Sequence, residues 1–277
     1  MRCPEALRAL ALAAGLAAAL AAHAGAEQVR ASLASRLQQQ LPALSPPDYT
    51  LGAGAFDAEL QARIEEGTAG VPATGIVEAG RRIWTRKFRN GRSLAGCFPN
   101  GGRRIAAAYP QFDARLKRVV TLEMAINQCL KTHGEPLLDA SDPDAMGAVS
   151  AYVRSLSDGR KMAVRVPAAA EERFEQGRRL YFTRLGQQNF ACASCHVQGA
   201  GRRFADVPLS PAIGQATHWP VIRDGRAITL HSRMRECLEL MGAAPFPAGS
   251  DELNHLEYFL AYLSNGLPLK ANVWRPR

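Results

Sequence analysis

Two cysteines and a histidine stand close together in the sequence C-A-S-C-H at residues 192–196. In this spacing two thiols add to the vinyl groups of a porphyrin and the imidazole binds its iron. The motif therefore predicts one covalently attached haem c, held through Cys192 and Cys195, with His196 as an axial ligand. A redox dithiol or half of a zinc site are the alternatives. Both fit less well, because no second C-x-x-C and no histidine pair at zinc spacing accompanies the motif.

The first 26 residues have the pattern of an export signal. Arg2 and Arg8 flank a short basic start, residues 9–22 are almost entirely Ala, Leu and Gly, and small-residue cleavage sites end at Ala24 and Ala26. The apolar run is too short and too alanine-rich for a membrane span, and no other stretch of about twenty apolar residues follows. We therefore expect a protein exported to the periplasm without a membrane span.

The cysteine count is odd once this signal is removed. Six cysteines less Cys3 leave five, namely Cys97, Cys129, Cys192, Cys195 and Cys237. Haem attachment uses two of them, and an oxidising compartment pairs at most two of the other three. One thiol therefore needs a role as a partner link, a metal ligand or a reactive group.

An internal duplication indicates which thiol is left over. Three short patterns recur in the same order in both halves: G-R-R at Gly80 and Gly177, Thr-Leu at Thr121 and Thr229, and L-S-[D/N]-G at 156–159 and 263–266. Each Thr residue precedes a cysteine, Cys129 or Cys237, by eight positions. The register predicts two tandem domains.

The first half lacks the haem motif at the matching place. Cys97 stands where Cys195 would, no cysteine lies three residues before it, and Phe98 replaces the histidine. We expect a degenerate domain without haem, in which Cys97 and Cys129 face each other across the missing cofactor and form a disulfide. Two free buried thiols are the alternative.

Cys237 is then the odd thiol, and it lies on a predicted helix. Leu, Met, Cys, Leu and Met at 230, 234, 237, 238 and 241 share one helical face that would pack on the domain interior. A thiol against ferric iron ionises because the cation stabilises the thiolate. This predicts Cys237 as the second axial ligand, and Arg233, one turn earlier, places a positive charge near the sulfur that could hold an anion.

With these residues the chain resembles the SoxA family, the cytochrome subunits of the SoxAX complex of bacterial thiosulfate oxidation, in the single-haem form. The resemblance spans roughly residues 60–270 and is carried by C-A-S-C-H, Trp219-Pro220 and the R-M-R-E-C stretch at 233–237. One departure is Ala125, which stands where two-haem relatives have an arginine ahead of the first-domain cysteine. Attachment site, ligand and arginine are thus missing together from the first half.

The resemblance implies a function and partners. His196 and Cys237 would be the axial ligands, Cys237 would carry the chemistry, and Arg233 would steer the anionic substrate. The implied enzyme is a periplasmic thiosulfotransferase, in a heterodimer with a SoxX-like cytochrome, that oxidatively conjugates thiosulfate to a cysteine of a SoxYZ-like carrier. Thiolate attack on sulfur and the arginine fork for oxyanions suit this chemistry.

Two other functions stay open on the sequence. An electron-transfer cytochrome would use methionine as the sixth ligand, and both Met234 and Met241 lie about one turn from Cys237; as core filler they need no such role. A haem-containing sensor or interaction domain is the other possibility. The remaining second-half histidines, His218, His231 and His255, are expected at surface or packing positions.

Charge and composition add limited information. Of the formal net charge of +9, Arg2, Arg8 and Glu5 contribute +1, which leaves +8 for the mature chain. The arginines are scattered and no nucleic-acid motif appears, so we expect steering of an anionic substrate or an acidic partner, or simply a solubilising surface, and no nucleic-acid partner.

The sequence as a whole predicts a mainly α-helical fold of two tandem cytochrome c-like domains, the first without haem, plus an N-terminal extension. The extension should contain an amphipathic helix near 32–41 and wrap the body. With 47% apolar residues each half can bury a core, the first with its disulfide and the second with its cofactor. The expected boundaries are 1–26 for the signal, 27–75 for the extension, 76–160 for the haem-free domain, about 158–170 for the linker and 171–270 for the haem-binding domain.

Overall fold

The structure, a computed structural model, describes residues 25–69 and 71–275. The predicted signal up to residue 24, with Cys3 and the cleavage site at Ala22-His23-Ala24, lies outside the described residues. Among the helices that are described, none has the length and apolar character needed to cross a membrane.

Within the described residues the protein is mainly helical, with three short antiparallel hairpins. The helices are α1 (25–40), α2 (Ala58–Ala69), α3 (Val71–Thr85), α4 (Leu122–Thr132), α5 (Ala148–Ser155), α6 (Glu171–Phe182), α7 (Leu230–Leu240) and α8 (Asp251–Leu263). The strand pairs are β1 (Gln111–Asp113) with β2 (Arg118–Val120), β3 (Arg203–Phe204) with β4 (Val207–Pro208), and β5 (Val221–Arg223) with β6 (Arg226–Ile228). The predicted mainly α-helical class is confirmed.

The two halves repeat one order of elements. The first runs α3, β1–β2, α4, α5, and the second runs α6, β5–β6, α7, α8. A cis X-Pro bond precedes each hairpin, at Tyr109-Pro110 and at Trp219-Pro220. The helix after each hairpin begins at the same kind of cap, because the hydroxyls of Thr121 and Thr229 accept a first-turn backbone N–H.

The first and last helices of each half cross closely at a glycine. An ideal Cβ on Gly80 would lie 1.9 Å from the carbonyl oxygen of Ala148, and one on Gly177 would lie 2.0 Å from that of His255. Any side chain at these positions would force the helices apart. The G-R-R patterns noticed in the sequence therefore mark equivalent helix crossings.

The turns after α5 and α8 also match, and they connect the halves. Ser157 Oγ accepts the N–H of Ala106 at 3.1 Å, and Ser264 Oγ accepts that of Gly214 at 3.1 Å. The linker then pairs with the chain that follows α8: the N–H of Met162 donates to the carbonyl of Leu267 at 2.9 Å. The domains therefore share a hydrogen-bonded edge, and most of their buried apolar residues belong to one cluster that spans both halves.

The extension is more helical than the sequence predicts. Its first helix occupies 25–40, which begins earlier than the expected 32–41, and α2 follows where loops were expected. It packs on the second half, since Gln40 Nε2 donates to the carbonyls of Gln198 and Ala200 at 3.3 and 3.0 Å. The extension thus contacts the segment just after the C-A-S-C-H motif.

Candidate functional site

The C-A-S-C-H motif lies on a short helix over 192–198, which places both cysteines and the histidine on one wall of a cavity. His196 Nδ1 lies 2.8 Å from the carbonyl oxygen of Ser210. A carbonyl oxygen only accepts, so Nδ1 carries the hydrogen and Nε2 keeps a free lone pair. Burial lowers the pKa of His196 to about 4, so the ring is neutral at physiological pH, as a metal ligand must be.

Helix α7 supplies another part of the cavity lining. The predicted stripe of Leu230, Met234, Cys237, Leu238 and Met241 lines the cavity as a unit, and Arg233 lines it as well. The Thr229 cap fixes where the helix starts, and therefore which face turns inward. The structure thus brings Cys192, Cys195, His196, Arg233 and Cys237 into one site.

The cavity has a size suited to a cofactor. Its volume is about 360 Å³, within the range of about 300–1,000 Å³ usual for small-molecule sites. Besides the motif and α7, its walls are formed largely by apolar and aromatic side chains, among them Tyr181, Phe190, Trp219, Phe246 and Leu260. This is the composition expected around a largely apolar ring system.

Three buried polar atoms in the same walls lack hydrogen-bond partners. They are Tyr181 Oη, His218 Nδ1 and Trp219 Nε1. Buried polar groups are nearly always satisfied, and an indole N–H is a donor only. An apolar ring carrying carboxylate groups would fill the space and supply the missing acceptors, so the residues present fit a haem group.

The electrostatics of the thiols bear on the alternatives to haem. Burial raises the pKa of Cys192 to about 12, and burial also raises that of Cys237, although the charges of Arg233 and Arg223 oppose the shift there. A reactive redox dithiol needs the opposite shift, so the arrangement does not favour that alternative. A cation close to the Cys237 sulfur would lower its pKa and favour the thiolate.

Zinc is not favoured either. Across the described residues, the one cluster of three His, Cys, Asp or Glu side chains close enough to share a metal ion is Cys97, Cys129 and His133, far along the chain from the C-A-S-C-H motif. Two of its members are joined to each other by a disulfide.

Next to Cys237 lies an ion-pair cluster that sequence reasoning identified only in part. Arg233 Nη1 lies 3.0 Å from Glu236 Oε2, and the other carboxylate oxygen of Glu236 pairs with Arg223 at the end of β5. The contact between Arg233 and Glu236 could have been predicted from their i, i+3 spacing on the predicted helix. Arg223 could be found only from the hairpin, which folds back toward α7.

In the first domain, side chains and a disulfide occupy the place that corresponds to this cavity. Cys97 and Cys129 are linked, with Cα atoms 6.1 Å apart. The fully buried Trp84 ring lies 4.9 Å from the Phe98 ring and donates its Nε1–H to the carbonyl of Gly101 at 3.0 Å. The disulfide is the pairing expected from the duplication.

The other candidate ligands divide into two groups. Met234 and Met241 line the same cavity as Cys237, so the structure leaves both as candidate ligands. The three histidines are all buried, which settles the choice between surface and packing positions. His218 lines the cavity, whereas His231 Nε2 lies 3.1 Å from Glu257 Oε2 outside it.

Two tandem helical domains, one of them with a C-x-x-C-H motif in a cofactor-sized cavity, define a duplicated c-type cytochrome. A family model described as the SoxA/TsdA cytochrome c domain matches residues 79–162 and 176–269, one segment in each half. The chain belongs to the SoxA/TsdA cytochrome c family, whose members are expected to carry haem c.

Curated relatives and a solved structure agree with this membership. The chain is 39% identical to the L-cysteine S-thiosulfotransferase subunit SoxA of Chlorobaculum tepidum, over 83% of this chain and 81% of the relative. It is 36% identical to the protein of the same name from Allochromatium vinosum, over 88% of each chain. The crystal structure of SoxXA from P. pantotrophus matches with a TM-score of 0.68 and 28% identity, over 74% of this chain and 79% of that chain.

Proposed function

We propose that this chain is the SoxA-type subunit of a periplasmic L-cysteine S-thiosulfotransferase. It joins thiosulfate oxidatively to a cysteine of a SoxYZ-like carrier protein and works in a heterodimer with a SoxX-like cytochrome. The observation that carries this proposal is the position of Cys237 and Arg233 on the cavity-lining face of α7. The names of the relatives support it over most of the chain.

Four residues would hold a single haem c in the second domain. Cys192 and Cys195 would attach it covalently, and His196 and Cys237 would be its axial ligands. When bound, the haem supplies an electron acceptor next to the reacting sulfur. The hydrogen bond from His196 to the carbonyl of Ser210 fixes the imidazole so that Nε2 faces the cavity.

The reaction joins two sulfur atoms with the loss of two electrons. The S–H bond of the carrier cysteine breaks, a bond forms between that sulfur and the outer sulfur of thiosulfate, and one proton and two electrons leave. The electrons would leave one at a time, because a haem accepts a single electron, and the SoxX-like cytochrome would take them onward. Arg233 would bind the oxyanion end of thiosulfate with its planar fork and so orient the outer sulfur. The bond between the carrier sulfur and the thiosulfate sulfur would form next to the Cys237 sulfur.

The rival is a His/Met-ligated electron-transfer cytochrome, and the methionines in the cavity wall are the observation that favours it. The test replaces Cys237→Ser and, separately, Met241→Leu in the holoprotein made with its partner subunit. We expect Cys237→Ser to keep covalent haem and lose thiosulfate conjugation to the carrier. Met241→Leu should keep both conjugation and the low-spin electron paramagnetic spectrum of His/thiolate ligation.

The opposite pattern supports the rival. If Met241→Leu abolishes the low-spin spectrum and the near-infrared band of methionine-bound ferric haem is present in the wild type, the ligand is methionine. If in addition Cys237→Ser conjugates at the wild-type rate, the protein is an electron carrier without sulfur chemistry.

A further inference from the structure

Glu236 bridges two arginines directly beside the proposed sulfur site. One carboxylate oxygen lies 3.0 Å from Arg233 Nη1 on the same helix, and the other pairs with Arg223 from the neighbouring hairpin. Arg233 lines the cavity, whereas Glu236 and Arg223 are not among the residues that line it. The chain of contacts therefore runs from the hairpin through Glu236 to the arginine that faces the cavity.

The arginine at the end of this chain has little else to hold it. The Arg233 side chain is 42% exposed, and among the described residues it donates a hydrogen bond to the Glu236 carboxylate alone. A free arginine side chain costs up to about 2 kcal/mol to order. Arg223 is better fixed, since its side chain is only 17% exposed and extends from a paired strand.

We infer that Glu236 is the positioning residue that fixes the Arg233 guanidinium for the anionic substrate, with Arg223 as its anchor on the hairpin. This inference rests on the proposed binding of thiosulfate at Arg233. Glu236 itself contacts neither the substrate nor the cavity in this assignment.

Orientation and charge predict opposite results when Glu236 is changed. Loss of its negative charge makes the site more positive, so charge alone predicts tighter binding of a dianion. Loss of the bridge releases the Arg233 side chain, so positioning predicts weaker binding in spite of the added charge. The sign of the effect therefore separates the two explanations.

The experiment uses the holoprotein made with its partner subunit and measures two quantities. Thiosulfate binding is followed by the change it causes in the haem absorption spectrum, and conjugation to the carrier is followed by mass. We expect Glu236→Gln to raise the dissociation constant and the KM for thiosulfate about tenfold, as loss of an outer positioning contact commonly does, with a smaller change in kcat. Arg223→Gln should also raise the dissociation constant and the KM for thiosulfate, but by a smaller factor.

A matched control and a double variant make the test specific. Arg226 faces Arg223 across the hairpin, but its side chain pairs with Asp144 at 2.8 Å. Arg226→Gln should therefore leave binding and turnover unchanged. Because Glu236 acts through Arg233, the double variant Arg233→Gln with Glu236→Gln should bind no more weakly than Arg233→Gln alone.

Two results would overturn the inference. One is unchanged or tighter thiosulfate binding by Glu236→Gln with an unaltered resting spectrum. The other is an equal loss from Glu236→Gln in the wild-type and Arg233→Gln backgrounds. Failure of the proposed function gives a different result, because the wild type would then bind thiosulfate, with the same dependence on Glu236, but form no conjugate.

Discussion

The first and second halves of the protein have the same frame around different interiors. Both have a glycine at the crossing of their first and last helices, a cis X-Pro bond before a hairpin, and a threonine cap on the next helix. Four residues after the crossing glycine, the first half has Trp84 and the second has Tyr181. The Trp84 ring fills the interior of its domain, and its N–H has a hydrogen-bond partner. The Tyr181 hydroxyl has no hydrogen-bond partner, and the residue lines the cavity.

This difference shows which features of the fold depend on a cofactor and which do not. Glycine contacts, caps and serine-bonded turns are made within the chain and appear in both halves. The interiors differ: a disulfide and two aromatic rings occupy the first, and polar atoms without hydrogen-bond partners line a cavity in the second. The second half also has the additional hairpin β3–β4. The frame is therefore compatible with either interior, and the second half alone should depend on haem for its stability.

The strongest test of this comparison removes the attachment cysteines. Cys192→Ser with Cys195→Ser should abolish covalent haem and leave the second-half cavity without its filling, while the disulfide and the aromatic contacts of the first half remain. Intact mass and haem staining check the first result, and hydrogen exchange resolved by domain checks the second. Equal loss of protection in both halves would contradict the independence of the first interior.

The reciprocal test opens the disulfide. Its two cysteines are 32 positions apart, and a loop of that length corresponds to about 3–4 kcal/mol of stability in the chain-entropy estimate. Cys97→Ser with Cys129→Ser should lower the free energy of unfolding of the first half by about this amount and leave the haem spectrum unchanged. Thermal unfolding with reductant on the wild type serves as the control. A changed haem spectrum would show that the interiors are coupled.

The shared frame is tested by adding a methyl group at each crossing. Gly80→Ala and Gly177→Ala should each destabilise the protein by about 1–3 kcal/mol or more, since the added Cβ would overlap a backbone carbonyl. Gly75→Ala is the matched control in α3, because its Cβ meets nothing within 4 Å. It should be neutral or stabilising by up to about 1 kcal/mol in denaturant unfolding. Unequal losses at Gly80 and Gly177 would show that the crossings are not equivalent.

Lowering the pH should produce a smaller difference in stability between the two halves. Burial lowers the pKa of His218 and of His255, so the folded second half prefers both rings neutral. The unfolded chain binds protons below the ordinary histidine pKa of about 6.5, so stability falls as pH drops from there toward the lowered values. The first half contains one histidine, the partly exposed His133. Hydrogen exchange at pH 7.5 and 5.0 should show the second half loosening first; an equal response would argue against this cause.

The sequence predicted those parts of the site in which a residue type at a fixed spacing determines the chemistry. C-A-S-C-H, the odd Cys237 with Arg233 one turn before it, and the Cys97 and Cys129 pair are of this kind. The tandem domains were predicted because the repeated patterns lie at helix crossings and helix caps. At these positions the residue type is determined by a close backbone contact or by a capping hydrogen bond. Neither the pattern nor the spacing required knowledge of long-range packing.

The features that were missed depend on tertiary contacts or on very short elements. Strands of three residues show no alternation, so the hairpins left no periodic signal. The Asp224-Gly225 turn was a usable sign, since both residues adopt positive φ and D-G is a typical hairpin turn. The pairing of Arg223 with Glu236 required that hairpin to be placed against α7. The earlier start of α1 reflects packing on the second half.

The edge shared by Met162 and Leu267 has a consequence for motion. Two domains joined by a flexible linker would change their separation continually. Here the linker itself is hydrogen-bonded to the segment after α8, and Lys161 and Pro268 form an antiparallel β-bridge in the same region. These contacts oppose independent motion of the two halves. A protein that binds the first half would therefore also limit the positions that the cavity of the second half can take.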